Sequence, residues 1–169
     1  VTAPFADLAA GIDAVLFDLD GVLVDTEPWW HEIRVTWASS HGRHWTEDDS
    51  RRCMGLNSRD WSEVMRERMG VDETAIAIER TIVEALVARY ASRPVPLVPG
   101  APEATTRIAA RVPVAIASSA HRAVIRAAVD AGKTARFEAL LGNRVPAAIL
   151  SICSLNAIFS SLVTPGKSA

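Results

Sequence analysis

The chain has 169 residues, of which 49% are hydrophobic and 22% are charged, and it carries a formal net charge of -2 at pH 7. That balance predicts a soluble globular protein with one core, or one core with an inserted subdomain. Sixteen of the eighteen basic residues are arginine, and they are scattered along the chain. Nothing therefore indicates the clustered basic face that nucleic-acid binding needs.

The signals for cellular compartment are few. Cys53 and Cys153 lie far apart and show no Cys-x-x-Cys or histidine spacing, which favours a reduced, cytoplasmic protein over a disulfide framework. Asp7 and Asp13 interrupt the amino-terminal segment, which has no basic stretch followed by an apolar one, so no signal peptide is expected. Serines interrupt the apolar carboxyl-terminal segment, and no membrane span is expected there.

Residues 14–17 form a short apolar run that is typical of a strand buried in a parallel sheet. Asp18 and Asp20 follow it, and because side chains alternate along an extended chain, the two carboxylates point to the same side. Two like charges in one small volume favour a hard cation such as Mg2+ between them. Gly21 allows a sharp turn. The alternative is an ordinary strand-to-turn junction with solvated aspartates.

Asp18, Asp20, Gly21 and Asp25 match, position by position, the first motif of the haloacid dehalogenase-like (HAD) hydrolase superfamily, Asp-x-Asp-Gly-x-x-x-Asp. The chain resembles the branch that holds the beta-phosphoglucomutases and phosphoglycolate phosphatases. The resemblance implies that Asp18 is a nucleophile that forms an aspartyl-phosphate, that Asp20 is the general acid/base, and that both bind Mg2+. Dehalogenases of the superfamily lack the second aspartate, so Asp20 favours phosphoryl transfer.

The resemblance also implies an α/β fold, a Rossmann-like parallel sheet with an inserted α-helical cap. Apolar residues at helical spacing predict cap helices over residues 28–41, 58–69 and 73–90. This block holds all five tryptophans, which indicate either the core of a helical bundle or an aromatic substrate surface. Its histidines have no partner at metal-ligand spacing and are interpreted as surface or core residues. The block contains Trp29, Trp30, Trp37, Trp45, Trp61, His31, His41 and His44.

Two further segments extend the match. Residues 55–60 resemble the family's substrate-specificity loop, which makes Gly55 and Arg59 candidate substrate contacts; the compatible alternative is a helix start with Ser58 as N-cap. Residues 112–117 read as a second buried strand that ends at Ser118 and Ser119, before a helix over 121–131. Hydroxyl groups at such a junction bind phosphate or simply cap the helix. The resemblance favours phosphate binding by Ser118 and Ser119.

The match stops in the carboxyl-terminal part. The family places a lysine well after the motif-two serine and an acidic pair at the end of a further strand. Lys133 comes too early for that role, Lys167 lies beside the carboxyl terminus, and no acidic residue follows Glu138. The sequence therefore predicts an incomplete core.

The predicted division of the chain has four parts. They are a core segment 1–25, a helical cap 26–94, a core segment 95–141 with the second and third strands, and a divergent apolar tail 142–169. The leading hypothesis is a Mg2+-dependent phosphatase of a small phosphorylated metabolite such as a sugar phosphate. The alternatives are a phosphomutase and a non-catalytic remnant of the family.

Overall fold

A computed structural model describes residues 11–133 and 149–151 of the chain. Its sheet has three parallel strands in the order β1-β2-β3, and the described part has six helices. In chain order the elements are β1 (Val15–Phe17), α1 (Glu27–Ser40), α2 (Glu47–Cys53), α3 (Ser58–Met69), α4 (Ala75–Ser92), α5 (Ala101–Ala109), β2 (Val114–Ser118), α6 (Arg122–Lys133) and β3 (Ile149–Ser151). Among the described helices, none is both long and apolar enough to cross a membrane.

The sheet brings two chemically important ends together. Val15 pairs with Val114 and Phe17 with Ile116, so β1 and β2 run side by side and end at the same edge. Asp18 follows β1 directly, and Ser118 is the last residue of β2. The predicted parallel α/β core is confirmed. The third strand that we expected before residue 141 falls partly on residues 134–148, which lie outside the described part; the described β3 is Ile149–Ser151.

Helices α1 to α4 form the helical cap, which is inserted between β1 and β2. The segments that lead into and out of this cap run antiparallel beside each other, with a bridge between Val24 and Leu97. The Asp25 N–H donates to the Pro96 carbonyl at 2.7 Å, and the Val98 N–H donates to the Leu23 carbonyl at 3.1 Å. The chain therefore leaves the core and returns to it at neighbouring points, as an insertion requires.

The tryptophans form the apolar interior of the cap. All five are buried, together with Met65, Ile78, Ile82 and Leu86 from the facing helices. Trp29 packs edge-on against Tyr90 with ring centroids 5.2 Å apart, and Trp30 packs edge-on against Trp61 at 5.8 Å. The bundle-core interpretation is therefore correct. Trp30 and Trp61 additionally reach the cavity described below, so the two interpretations do not exclude each other.

Two of the cap histidines connect separate segments of the cap. The Nδ1 of His31 lies 2.8 Å from the Ser50 hydroxyl, which also accepts a hydrogen bond from the Trp45 indole at 2.8 Å. The Nε2 of His41 lies 3.3 Å from a carboxylate oxygen of Glu73. These contacts agree with a structural role.

The short helix α2 was not predicted from the sequence. It has seven residues, mostly polar, and therefore lacks the apolar periodicity by which the other helices are found. A capping box begins it: the Asp49 N–H donates to the Thr46 hydroxyl, and the Thr46 N–H donates to the Asp49 carboxylate. The Arg68 Nε, on α3, donates to the second Asp49 oxygen at 2.7 Å. Asp49 thus joins α2 to α3.

We predict that Asp49→Ala lowers the free energy of unfolding by about 2 kcal/mol, because it removes the capping box and leaves Arg68 without its carboxylate. Urea unfolding followed by circular dichroism measures the change. The control is Asp48→Ala, at the exposed neighbouring position, where a change within about 0.5 kcal/mol is expected. Equal losses in the two variants would contradict the role given to Asp49.

Candidate active site

The turn after β1 sets the direction of the two aspartates. The N–H groups of Leu23 and Val24 both donate to the Leu19 carbonyl, at 2.9 and 3.0 Å, and the Gly21 N–H donates to the Val24 carbonyl at 2.8 Å. Gly21 has a φ of 76°, in the left-handed region that favours glycine. Leu19 is buried, and Asp18 and Asp20 are left on the other side. The alternation expected from the sequence is therefore present.

A cavity of about 160 Å³ lies where the sheet edge meets the cap. Four predicted core residues, Asp18, Asp20, Ser118 and Ser119, line it. The cap supplies most of the other walls: Glu27, Trp30, Arg34, Cys53, Met54, Gly55, Leu56 and Trp61. The structure thus brings together acidic and hydroxyl side chains from two strand ends, beneath cap residues that include two tryptophans.

The cap holds the Asp20 carboxylate. Its Oδ1 accepts a hydrogen bond from the Thr26 hydroxyl at 2.5 Å and one from the Trp30 indole at 3.4 Å. Burial raises the pKa of Asp20, the two hydrogen bonds oppose that rise, and the nearby Asp18 charge adds to it. The net upward shift keeps the protonated form at higher pH than for an exposed aspartate. A carboxyl group of this kind is suited to donate a proton.

Ser118 does not cap α6, which was one of the two roles that the sequence allowed for it. Ser118 is 1% exposed, and its side-chain oxygen accepts the N–H of Ala120, at 3.1 Å, in a local turn. The cap of α6 comes instead from His121, whose Nδ1 accepts the Ala123 N–H at 3.1 Å. His121 had no role in the sequence analysis. Among the described residues, the Ser118 O–H has no acceptor, so it can donate to a phosphate oxygen.

The two candidate substrate contacts in the cap, Gly55 and Arg59, lie in different places. Gly55 lines the cavity, but the exposed Arg59 does not; it borders a different groove together with Glu63. The proposed N-cap was also misplaced by one residue. Asn57 caps α3, since its side-chain oxygen accepts the Asp60 N–H at 3.1 Å, and Ser58 is the first helical residue. Asn is as good an N-cap as Ser, so residue type alone did not distinguish these two neighbouring positions.

Two cavity residues on α1, Glu27 and Arg34, were missed by the sequence analysis, and a third, Trp30, was named there only among the five tryptophans. Glu27, Trp30 and Arg34 stand at positions i, i+3 and i+7 of one helix, and this spacing places them on a single face. That pattern could have identified them. A buried arginine and a half-buried glutamate on the apolar side of a helix are the unusual feature.

Comparison with known proteins identifies the class to which this fold and cavity belong. The sequence profile of the haloacid dehalogenase-like hydrolases matches residues 12–148. The chain belongs to that hydrolase family.

Three relatives illustrate the match. A phosphorylated carbohydrates phosphatase of Thermotoga maritima is 36% identical over 73 residues, which is 43% of this chain and 34% of the relative. The crystal structure of a putative beta-phosphoglucomutase from Thermotoga maritima is 29% identical, with a TM-score of 0.51, over 72% of this chain and 55% of that one.

The structure of CbbY from Rhodobacter sphaeroides, in complex with phosphate, is 22% identical, with a TM-score of 0.59, over 71% of this chain and 56% of that one. At this identity the likeness shows the fold alone. The chain spans about a third of the length of the curated relative and just over half of these solved structures.

We predict that Glu27→Gln stabilises the protein near neutral pH. Burial raises the pKa of Glu27 above its ordinary value of 4.5, and this rise outweighs the opposing effect of Arg34. The folded state therefore holds the proton more tightly than the unfolded state, and this carboxyl group lowers stability progressively as pH rises through and above 4.5. Urea unfolding measured from about pH 4 to about pH 7.5 should show the variant gaining stability over the wild type.

The control for this prediction is Glu84→Gln, because Glu84 is exposed on α4. It should follow the wild type at every pH. A Glu27→Gln variant that is less stable than the wild type at neutral pH would show that attraction to Arg34 outweighs burial.

Proposed function

We propose that the chain is a Mg2+-dependent phosphatase of small phosphorylated carbohydrates that acts through an aspartyl-phosphate on Asp18. The observation that carries the proposal is the convergence of Asp18, Asp20 and Ser118 on one cavity covered by the cap. The phosphatase named among the relatives supports the reaction class. Because this chain covers a third of that relative, the activity itself is the hypothesis under test.

The proposed reaction has two steps. A carboxylate oxygen of Asp18 attacks phosphorus, and the bond from phosphorus to the substrate oxygen breaks while the Asp20 carboxyl group gives that oxygen its proton. The alcohol leaves, and the phosphoryl group is on Asp18. Asp20, now a carboxylate, accepts a proton from a water molecule, which attacks phosphorus and releases inorganic phosphate from Asp18. Dividing the transfer in this way replaces one difficult step by two easier ones.

Three features of the cavity support these roles. The Thr26 and Trp30 hydrogen bonds fix the orientation of Asp20, and its raised pKa favours the proton-carrying form. The buried Ser118 hydroxyl can donate to a phosphoryl oxygen. The cap covers the cavity and excludes water that would compete with the substrate.

The donor set fits Mg2+ in part. Asp18 would hold the ion, and Asp20 would do so in its carboxylate form, because Mg2+ prefers oxygen ligands and is usually bound by one or two carboxylates with water and substrate phosphate. When bound, the ion neutralises charge on the phosphoryl oxygens. Within residues 11–133 and 149–151, no group of three or more His, Cys, Asp or Glu side chains stands at metal-binding distance.

A phosphomutase is the second candidate, since one structural relative is titled a putative beta-phosphoglucomutase. The beta-phosphoglucomutases that the first motif resembles place a histidine five residues after the last aspartate of that motif, and this position is Trp30 here. Here the indole N–H donates to Asp20, and an indole nitrogen has no lone pair with which to accept a proton. Trp30 therefore favours hydrolysis over isomerisation.

We expect Asp18→Asn to lower Mg2+-dependent release of phosphate from an aryl phosphate by at least about a thousandfold, because an amide cannot serve as the nucleophile. Phosphate release in a steady-state assay measures the change. The matched control is Asp13→Asn, an exposed aspartate before β1, which should retain wild-type turnover. Unchanged turnover in Asp18→Asn would refute the assignment.

Two further measurements separate the alternatives. Incubation with a hexose 1-phosphate should release phosphate without forming the 6-phosphate; formation of the isomer would favour the mutase. Calorimetric titration with Mg2+ should show binding that Asp20→Asn weakens. No binding together with no turnover would favour the non-catalytic remnant.

A further inference from the structure

The Tyr90 side chain carries a buried hydroxyl group to which the proposed reaction assigns no task. Tyr90 is 3% exposed and lies near the end of α4, where its ring meets the Trp29 ring edge to face at 5.2 Å. Among the residues that the structure describes, the hydroxyl oxygen has no hydrogen-bond partner. Tyr90 does not line the cavity that holds Asp18 and Asp20, so a substrate bound there is not its partner either.

A buried hydroxyl without a partner is costly, because it gives up its hydrogen bonds with water and gains none. Phenylalanine would fill the same space without that cost. Buried tyrosines therefore usually have a polar group close to the hydroxyl. The surroundings of Tyr90 show which group that is.

Thr26 is the neighbouring polar group. The Asp25 N–H donates to the Pro96 carbonyl, and this bond brings the start of α1 and the end of α4 close together. Trp29, which packs on Tyr90, also donates its N–H to the Thr26 carbonyl at 2.9 Å. The end of α4 and the residue that precedes α1 are thus neighbours.

The charge and polarity around Tyr90 agree with this placement. Burial raises the pKa of the hydroxyl, the negative charge of Asp20 raises it further, and the Thr26 hydroxyl opposes the rise. The two hydroxyl groups lie near each other without the geometry of a hydrogen bond. Hydrogen bonds of a catalytic site often reach their final length and alignment only when the substrate is bound.

The Thr26 oxygen can accept one more hydrogen bond. Its hydroxyl hydrogen goes to Oδ1 of Asp20, so the oxygen can accept a hydrogen but has none left to give. Tyr90 can supply that hydrogen, and the result is a chain from Tyr90 through Thr26 to Asp20 in which each bond strengthens the next. The Trp30 indole also donates to Oδ1, so Oδ2 is the oxygen of Asp20 that is left to carry the proton.

We propose that Tyr90 is a positioning residue whose hydroxyl donates to Thr26 and thereby holds Asp20 in the orientation from which Oδ2 protonates the leaving alcohol. This inference rests on the proposed function and adds a residue to it. Tyr90 touches neither the substrate nor the reacting atoms, so its effect depends on how strongly the leaving group needs a proton.

Two esters that differ in this need test the proposal: glycerol 3-phosphate and 4-nitrophenyl phosphate. The glycerol oxygen leaves only with a proton, whereas 4-nitrophenolate is stable enough to leave without one. With Mg2+ present, we expect Tyr90→Phe to lower kcat/KM for glycerol 3-phosphate by at least about fivefold, because a misaligned Asp20 loses part of the general-acid contribution. The value for 4-nitrophenyl phosphate should change by less than about twofold.

The matched control is Thr81→Val, which removes an exposed hydroxyl from the same helix, where it donates to the Ala77 carbonyl. This variant should keep the wild-type kcat/KM for both esters. Thr26→Ser retains the hydroxyl and should keep the wild-type ratio of the two values. Thr26→Val should reproduce the loss for glycerol 3-phosphate, and Tyr90→Phe should add little to it.

A second measurement needs no turnover. If Tyr90 donates to Thr26, Tyr90→Phe should lower the urea midpoint of unfolding by about 0.5 M. The same change should not lower the midpoint in a Thr26→Val background, where the acceptor is gone. A hydroxyl without a partner gives the opposite sign, since its removal relieves the cost of burial and raises the midpoint.

Each contrary result overturns the proposal. A raised or unchanged midpoint in Tyr90→Phe would show that the hydroxyl has no partner. A lowered midpoint with equal losses for the two esters would show that Tyr90 only supports the cap. If the wild type hydrolyses 4-nitrophenyl phosphate through Asp18 but Tyr90→Phe treats both esters as the wild type does, this inference fails and the proposed function stands. If the wild type hydrolyses neither ester, the proposed function fails, and the midpoints alone decide whether Tyr90 bonds to Thr26.

Discussion

The hydrogen bonds from Thr26 and Trp30 to Asp20 are the contacts on which the rest of the site depends. They connect the first turn of the cap to the turn after β1, so the position of the cap and the orientation of the proton donor are set together. Neither donor is replaceable by water, since Thr26 is fully buried and Trp30 nearly so. A displacement of α1 would therefore leave buried polar atoms unpaired, and the structure resists it for that reason.

The apolar packing within the cap also fixes the position of α1 over the site. Trp30 contacts Trp61 edge to face, and this pair joins α1 to α3 while it also covers the cavity. The ring faces that meet the guanidinium of Arg34 belong to the same two residues. One aromatic pair thus contributes to the stability of the cap, to the exclusion of water and to the placement of a cation. This shared use explains how two tryptophans of the bundle core also line the cavity.

The sequence predicted those features of the site that depend on residues close together in the chain. The two aspartates after β1 could be predicted because alternation and a glycine turn lie within a few residues, and the parallel strand that ends in Ser118 could be predicted from its apolar run. The helix α2 was missed because its evidence is a capping box and not an apolar stripe. The spacing along α1 could have placed Arg34 on the face that meets the cavity, but its contact with Trp61, 27 positions away in the sequence and on another helix, depends on tertiary packing. The exclusion of Arg59 from the cavity is equally a matter of tertiary packing.

The charges around the cavity explain why its two sides should differ in what they bind. Asp18 and Asp20 share one side at the sheet edge, where their like charges raise the cost of a second carboxylate and favour a cation. Glu27 and Arg34 stand on one face of α1, with opposite charges that lie too far apart to form an ion pair. Burial disfavours the charged form of both groups, so each interacts more favourably with a ligand that compensates it than with water.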